Sequence, residues 1–197
     1  MAPKLARLKQ ESTKRVAPDM AVPSSQSLSG VRRGALDALR QGRELLSILD
    51  NEKYTSECAH AFNATIGQHY RHCLDHFDTF LTQVSEGVVN YDLRLRKADI
   101  EENIHVALEL TKEFEMAIEE MKILDPDKKI FLNAGTGHEE LTLCESTIAR
   151  ELYYVTAHAT HHYALIAVIG CHFGIELPKN FGIAPSTVAY HDAKSNA

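Results

Sequence analysis

The stretch "STIARELYYVTAHATHHYALI", Ser146 to Ile166, reads as one amphipathic helix that carries three of the 11 histidines in this chain of 197 residues. Because successive helix residues turn by about 100°, His158 and His162 lie about 40° apart in the middle of the apolar stripe, with His161 on its shoulder. Two imidazoles four residues apart on one face have the spacing that chelates a single metal ion. The alternative is a pair of core histidines that are hydrogen-bonded to neighbouring groups.

Three further segments show apolar residues at helical spacing. The second of these segments begins with a capping box formed by Thr65 and Gln68. In this motif the Thr65 hydroxyl accepts a hydrogen bond from the Gln68 amide, and the Gln68 side chain accepts one from the Thr65 amide. The segment "KIFLNAG" predicts a short extended piece, and the chain from Pro178 onward reads as coil. The predicted helices span residues 31–49 after a cap at Ser29, 66–85, 98–124, and from a cap at Ser146 or Thr147 to about Phe173.

These elements predict an all-α fold, a four-helix bundle with long connections, because four amphipathic helices can bury their apolar faces together. Residues 1–27 are basic and poor in large apolar side chains, which predicts a disordered N-terminal tail. The connection "VVNYDLRLRK", Val88 to Lys97, is long for a bundle. Long loops in small domains often carry function, so this one is a candidate wall of a site.

Composition and charge exclude several classes of function. The net charge of −6 argues against nucleic acid as a partner, because nucleic-acid-binding surfaces are basic. No apolar run is long enough to span a membrane. The four cysteines are scattered without a CxxC pair, which favours reduced thiols and a cytoplasmic location. The basic opening "MAPKLARLKQESTKR" leaves a mitochondrial transit peptide as the alternative, although Glu11 interrupts it.

The second helix offers a third imidazole to the pair on the last helix. His69, His72 and His76 form one stripe beside its apolar face. Periodicity does not choose among them and slightly favours His69, the nearest to the apolar centre. A set of three histidines leaves coordination positions open, which is how catalytic rather than structural metal sites are built.

The ordered motifs "TIGQHYRHCLDHF", "VNYDLRLRK", "STIARELYYVTAHATHHYALI" and "FGIAPST" resemble the DinB-like (YfiT-like) superfamily over about residues 28–190. Residues 191–197 then form a short C-terminal tail. The resemblance implies a four-helix bundle with one histidine from the second helix and an HxxxH pair from the last. In the family the first ligand lies seven residues after a Ser or Thr and three before an acidic residue. Thr65 and Asp75 give that spacing for His72 alone, so the implied metal ligands are His72, His158 and His162.

Characterised members of this superfamily include metal-dependent thiol transferases, which join low-molecular-weight thiols to electrophiles, and a related hydrolase. The resemblance therefore implies an enzyme in which a divalent metal activates a thiolate or a water. Zinc is the first choice because it suits both reactions, with nickel or iron as alternatives. The competing interpretation is a non-catalytic bundle, a homodimerisation or small-molecule-binding module that keeps a vestigial metal site.

Several other residues are candidates for the same site. Glu151 falls on the ligand stripe two turns before His158, where it is either a base or the partner of an arginine such as Arg71. Asp75 could orient a ligand imidazole but reads more simply as a solvated acid on the helix face. Cys73 is expected to be a packed thiol. The candidates for contacting substrate are Tyr91, Arg94 and Arg96 in the loop, and His69 and His161 beside the ligands, with His76 as a further pocket residue.

Overall fold

The computed structural model describes residues 24–93, 97–121, 125, 127–135 and 142–195. These residues are mostly helical. Their α-helices are α1 (Ser24–Ile48), α2 (Asn51–Thr55), α3 (Ile66–Gln83), α4 (Ala98–Glu102), α5 (Ile104–Glu120), α6 (Ile148–His172) and α7 (Pro185–Ser195). The strands are β1 (Val88–Val89), β2 (Lys129–Ala134) and β3 (Thr142–Thr147).

The four long helices share one apolar core. Helices α5 and α6 each pack against both α1 and α3, so every long helix has two long neighbours. The fully buried side chains at the centre include Leu39 of α1, Phe77 of α3, Ile118 of α5 and Val155 of α6. Burial of these faces is the main stabilising contribution, because each large apolar side chain contributes about 1.5–3 kcal/mol when it is removed from water.

Helix α3 begins where the sequence predicts it. The Thr65 hydroxyl accepts from the Gln68 amide at 3.0 Å, and the Gln68 side-chain oxygen accepts from the Thr65 amide at 3.2 Å. Both halves of the predicted capping box are therefore present. The end of this helix also agrees with the predicted range of 66–85. Helix α3 ends at Gln83, a short 3-10 turn continues it to Glu86, and Gly87 follows with φ +84°.

The third predicted helix is divided in two. Asn103 has an extended backbone, and its side chain accepts from the His105 amide, so it ends α4 and caps α5. Asn51 holds the break from outside, because its amide group donates to the Glu102 carbonyl and accepts from the Ile104 amide. The prediction of one continuous helix was wrong because this contact comes from a residue distant in sequence.

A small sheet joins two of the connections. Strand β1 pairs in parallel with β2, with Val88 opposite Phe131, and β2 pairs antiparallel with β3, with Lys129 opposite Thr147. The sequence predicted β2 but neither of its partners. Strand β3 leads directly into α6, where the Thr147 hydroxyl accepts from the Arg150 amide as the predicted cap. The sheet therefore fixes the start of α6, which carries His158 and His162.

The terminal boundaries differ from the predictions. Helix α1 begins at Ser24, so Ser29 lies inside it and is not its cap. Residues 1–23 of the predicted tail over residues 1–27 lie outside the described residues. The tail prediction was wrong for residues 24–27, which form the first turn of α1. At the other end, the coil prediction from Pro178 was wrong for Pro185–Ser195, which form α7. Before α7, the ring of Phe181 stacks on Tyr163 with centroids 4.9 Å apart, which fastens this segment to α6.

None of the described helices is both long enough and apolar enough to cross a membrane.

Candidate metal centre

Helices α3 and α6 lie side by side and bring histidines from both predicted stripes into contact. The Nε2 atoms of His72 and His158 are 2.8 Å apart. Nitrogens this close need either a proton or a cation between them. Two nitrogens bound to one ion at 2.0–2.1 Å lie about 3 Å apart when their bonds meet near a right angle. The separation of the pair is that of an N–H···N hydrogen bond and also fits two ligands of one ion whose bonds meet near a right angle.

A third imidazole belongs to the same cluster. His72, His76 and His158 each offer one ring nitrogen, and these three atoms all lie within 4.8 Å of one another. His76 is one helical turn after His72, so both project from the same side of α3. The sequence places His76 on the histidine stripe but gives it only a pocket role.

His76 is the most deeply buried of these three histidines. It is buried, with 3% of its surface exposed, and its Nδ1 lies 2.9 Å from the backbone carbonyl of His72. A carbonyl only accepts, so Nδ1 must carry the proton and Nε2 carries the lone pair of the neutral ring. This bond to a backbone carbonyl is the usual way in which a metal-binding histidine is oriented.

His162 lies next to this cluster and is paired with His69. Its ring centroid is 4.5 Å from that of His72 and 4.7 Å from that of His158. Its Nδ1 lies 3.0 Å from Nδ1 of His69, so one of the two rings donates to the other. When His162 is the donor, its Nε2 carries the lone pair and is suited to binding a metal.

Burial keeps this second pair neutral. Desolvation by burial, together with smaller contributions from the neighbouring His158 and His69, lowers the pKa of His162 from 6.5 to about 3. The pKa of His69 is also lowered, first by burial and then by His161. Neutral imidazoles are the form that a metal ion requires. His161 is itself exposed, at the outer edge of the cluster.

Glu151 is fully buried at the start of α6, on the ligand stripe as predicted. Its carboxylate accepts from the Tyr91 hydroxyl at 3.0 Å, from the Arg150 guanidinium at 2.6 Å and from the Ser146 hydroxyl. Arg71, the partner suggested by the sequence, instead bonds to Glu101. The partners that satisfy Glu151 are thus its sequence neighbour, a residue of β3 and a loop tyrosine.

Aromatic rings connect Glu151 to the histidines. Tyr91 stacks on His76 with centroids 5.3 Å apart and an angle of 15° between the rings. Tyr154 stacks on His158 at 5.6 Å, and the Arg150 guanidinium lies 5.4 Å above the Tyr154 ring. Burial and the nearby Glu151 carboxylate raise the pKa of Tyr91, so its phenol remains a hydrogen-bond donor. The signal that could have found Tyr154 is its position one turn before His158.

The remaining candidates are placed as follows. Tyr91 is buried and its hydroxyl faces Glu151, while Arg94 and Arg96 lie outside the described residues. Asp75 is 5% exposed and has Nε of Arg71 at 3.8 Å from its carboxylate, so the prediction of a solvated acid was wrong. Cys73 is the packed thiol that the sequence predicts, and burial raises its pKa. All four cysteines are free thiols.

Two surface depressions lie away from the histidines. One, of about 610 Å³, is lined by Lys53 of α2 and by residues after α6 such as Ile175 and Pro178. The other, of about 440 Å³, lies along α4 and α5 and includes His105 and Leu110. Neither depression includes any of the clustered histidines.

Comparison with protein-family models finds no match, and comparison with solved structures finds none either. Among curated proteins, the chain is similar to "FK506-binding protein 5" of Rhizopus delemar, with 34% identity over 105 residues. The aligned region is 52% of this chain and 27% of that protein, so the chain spans about a quarter of the relative's length. This partial similarity does not establish a family.

Proposed function

We propose that this chain is a metal-dependent enzyme with the four-helix bundle of the DinB-like superfamily. The observation that carries the proposal is the contact between His72 and His158, whose Nε2 atoms lie 2.8 Å apart across two packed helices. His162 is the third ligand in the resemblance, and its ring lies within 5 Å of both. A cytoplasmic location accords with four free thiols.

The imidazoles set the chemistry of the site. A divalent metal bound by neutral histidines retains its positive charge and supplies Lewis-acid chemistry, which promotes deprotonation of a thiol or a water. Zinc suits this role, and nickel and iron also accept imidazole ligands. The chain's own contribution is to keep these rings neutral and oriented, which burial and the bonds of His76 and His162 support.

Glu151 is connected to the histidines through Tyr91. The sequence offers it as a base, but three donors already satisfy its carboxylate. We therefore propose that Glu151 acts as a positioning residue. It accepts from Tyr91, and Tyr91 stacks on His76, so the carboxylate helps to fix the ring that closes one side of the cluster.

A low-molecular-weight thiol is the proposed substrate. It loses its proton to solvent, and the thiolate sulfur forms a bond to the carbon of an electrophile as the leaving group departs with the electron pair of the broken bond. The test begins with elemental analysis of protein purified without an affinity tag, followed by conjugation of simple thiols to a chromogenic electrophile. We expect about one equivalent of metal, and a conjugation rate that falls at least tenfold in His72→Ala. His191→Ala is the control, because this histidine is exposed on α7 and has no place in the proposed site. Full activity in His72→Ala would contradict the proposal.

The competing function is a non-catalytic module that binds a metal or a partner without turnover. One observation favours it: both described surface depressions lie away from the histidines. Measurements of bound metal and of turnover on the same protein distinguish the two functions. The module predicts bound metal and no conjugation or hydrolysis above the rate of the metal ion alone, and the enzyme predicts turnover that is lost with the metal.

A further inference from the structure

We infer that His76 is a metal ligand, a fourth imidazole beside His72, His158 and His162. This inference rests on the proposed function, because it requires that the cluster binds a metal. It differs from the ligand set implied by the resemblance, in which His76 has no assigned place. The starting point is that His76 belongs to the three histidines whose ring nitrogens lie within 4.8 Å of one another.

A hydrogen bond to the backbone orients the His76 ring. Its Nδ1 donates to the His72 carbonyl at 2.9 Å, which fixes the tautomer and leaves the lone pair on Nε2. The same bond ties the side chain to its own helix, so ring rotation is restricted. An imidazole whose Nδ1–H is bound to a backbone carbonyl is prepared to coordinate through Nε2.

His76 is packed between other rings of the cluster. The centroids of His76 and His158 are 4.2 Å apart, the shortest separation among the clustered rings. Tyr91 covers the other side of His76 with a nearly parallel ring at 5.3 Å. Only 3% of the residue is exposed. A ring this deeply buried and packed against another imidazole has little freedom left to lose, so it can coordinate a cation at a low cost in side-chain entropy.

A fourth imidazole has a consequence for the choice of metal. A four-coordinate ion held by four histidines has no open position and would be a structural site. Catalysis at such a centre requires an ion that accepts more than four ligands. His76 coordination therefore favours nickel or iron over zinc for an active enzyme.

The experiment loads the full-length protein with Co²⁺ and measures two quantities. Competition with a chelator gives the affinity, and X-ray absorption spectroscopy gives the number of bound imidazoles. The variants are His76→Gln, which retains an amide donor for the His72 carbonyl, and His191→Ala, a control at an exposed histidine of α7. His72→Ala tests the underlying metal site. We expect four imidazoles in the unmodified protein and three in His76→Gln, with an affinity at least tenfold lower.

The outcomes distinguish the role of His76 from the presence of a metal site. Three imidazoles in the unmodified protein, all of them retained in a His76→Gln variant with unchanged helical circular dichroism, would overturn the role of His76. The count must be compared between the two proteins because His72, His76 and His158 alone would also give three imidazoles. An unchanged imidazole count and affinity in His76→Gln, with Co²⁺ lost in His72→Ala, would also overturn it and leave the proposed function intact. An unmodified protein that binds no Co²⁺, or binding unaffected by His72→Ala, would overturn both.

Discussion

His72 and His158 lie on helices that are distant in sequence, and their contact is the strongest indication of a metal site in the described residues. Neither histidine is fully buried, yet their Nε2 atoms approach within 2.8 Å. Periodicity places His158 in the apolar stripe of its helix and His72 on a stripe beside the apolar face of the other helix. The contact itself depends on how α3 and α6 are rotated against each other. The residue scale therefore provides the sharpest tests of a metal site.

The ligand prediction concerns single alanine substitutions. We expect His72→Ala, His158→Ala and His162→Ala each to lose bound metal, because each removes an imidazole from the proposed set. His161→Ala should keep it, since that side chain is exposed. Elemental analysis of the purified variants measures the result. A full equivalent of metal in His72→Ala together with none in His69→Ala would show that the first ligand had been assigned to the wrong histidine.

The second prediction concerns the support of Glu151. Tyr91→Phe removes the hydroxyl that donates to this fully buried carboxylate at 3.0 Å. We expect the free energy of unfolding to fall by about 1–3 kcal/mol, because a buried carboxylate loses one of its donors while the ring packing is retained. Tyr153→Phe is the control, since Tyr153 is 63% exposed on α6. Urea denaturation measures both, and equal stability of the two variants would contradict the role given to Tyr91.

At the scale of elements, the closeness of α1 to its neighbours depends on a glycine. A Cβ on Gly42 would collide with the hydroxyl oxygens of Tyr70 and Tyr163, both buried. Gly34, two turns earlier on the same helix, has its nearest such neighbour at 4.0 Å, the Thr156 methyl group. One helix therefore contains a crowded glycine and an open one.

These glycines give a matched pair of substitutions. Gly42→Ala should destabilise the fold by about 1–3 kcal/mol, because fully packed tyrosines cannot move aside without strain. Gly34→Ala should stabilise it by about 0.5–1 kcal/mol, since alanine is the better helix former and meets no obstacle. Thermal and urea unfolding measure the difference. A stabilising Gly42→Ala would show that α1 does not pack this closely on the tyrosines.

Elements were predictable to different degrees. The capping box at Thr65 and Gln68 and the cap at Thr147 are local, so the sequence alone located the starts of α3 and α6. The break at Asn103 and the strands β1 and β3 were not predicted. Each depends on a partner elsewhere in the chain, Asn51 for the break and β2 for the strands.

At the scale of the whole molecule, bound metal and stability are coupled. The unfolded chain does not hold the histidines together, so bound metal stabilises the folded state, by about 2.7 kcal/mol at a free concentration one hundred times Kd. We expect a chelator to lower the melting temperature while helical circular dichroism at 25 °C is retained, because four apolar helix faces remain buried. The gap between the two melting temperatures should narrow at acidic pH, where protons compete for the imidazoles. An unchanged melting curve after confirmed metal removal would contradict a stabilising site.

The metal-free protein has its own dependence on pH. His162 has a pKa of about 3 in the folded state against 6.5 as reference, and the pKa of His69 is lowered as well. Below pH 6.5 the unfolded chain therefore binds protons that the folded chain does not. The free energy of unfolding should be highest above pH 6.5 and should decrease as pH falls toward 3.

Urea titrations of the metal-free protein at pH 7.5 and 5.5 measure this effect above the range in which most carboxyl groups titrate. His162→Gln should flatten the difference between the two pH values, because the variant removes the group with the largest lowering. His191, exposed on α7, provides the control variant His191→Gln, which should keep the full difference. An identical pH dependence in both variants would rule out His162 as its source.

The sequence by itself determined which helices carry histidines, where α3 and α6 begin, and that His158 and His162 share the buried face of one helix. These features are local, since a 100° turn per residue and a capping hydroxyl need no partner elsewhere. Only the tertiary structure decided that His76 joins His72 and His158, that His162 pairs with His69, and that Tyr91 and Ser146 satisfy Glu151. The physical reason is that periodicity gives the direction of a side chain around its own helix. It does not give the rotation and height of that helix against its neighbours, which the packing of the whole core sets.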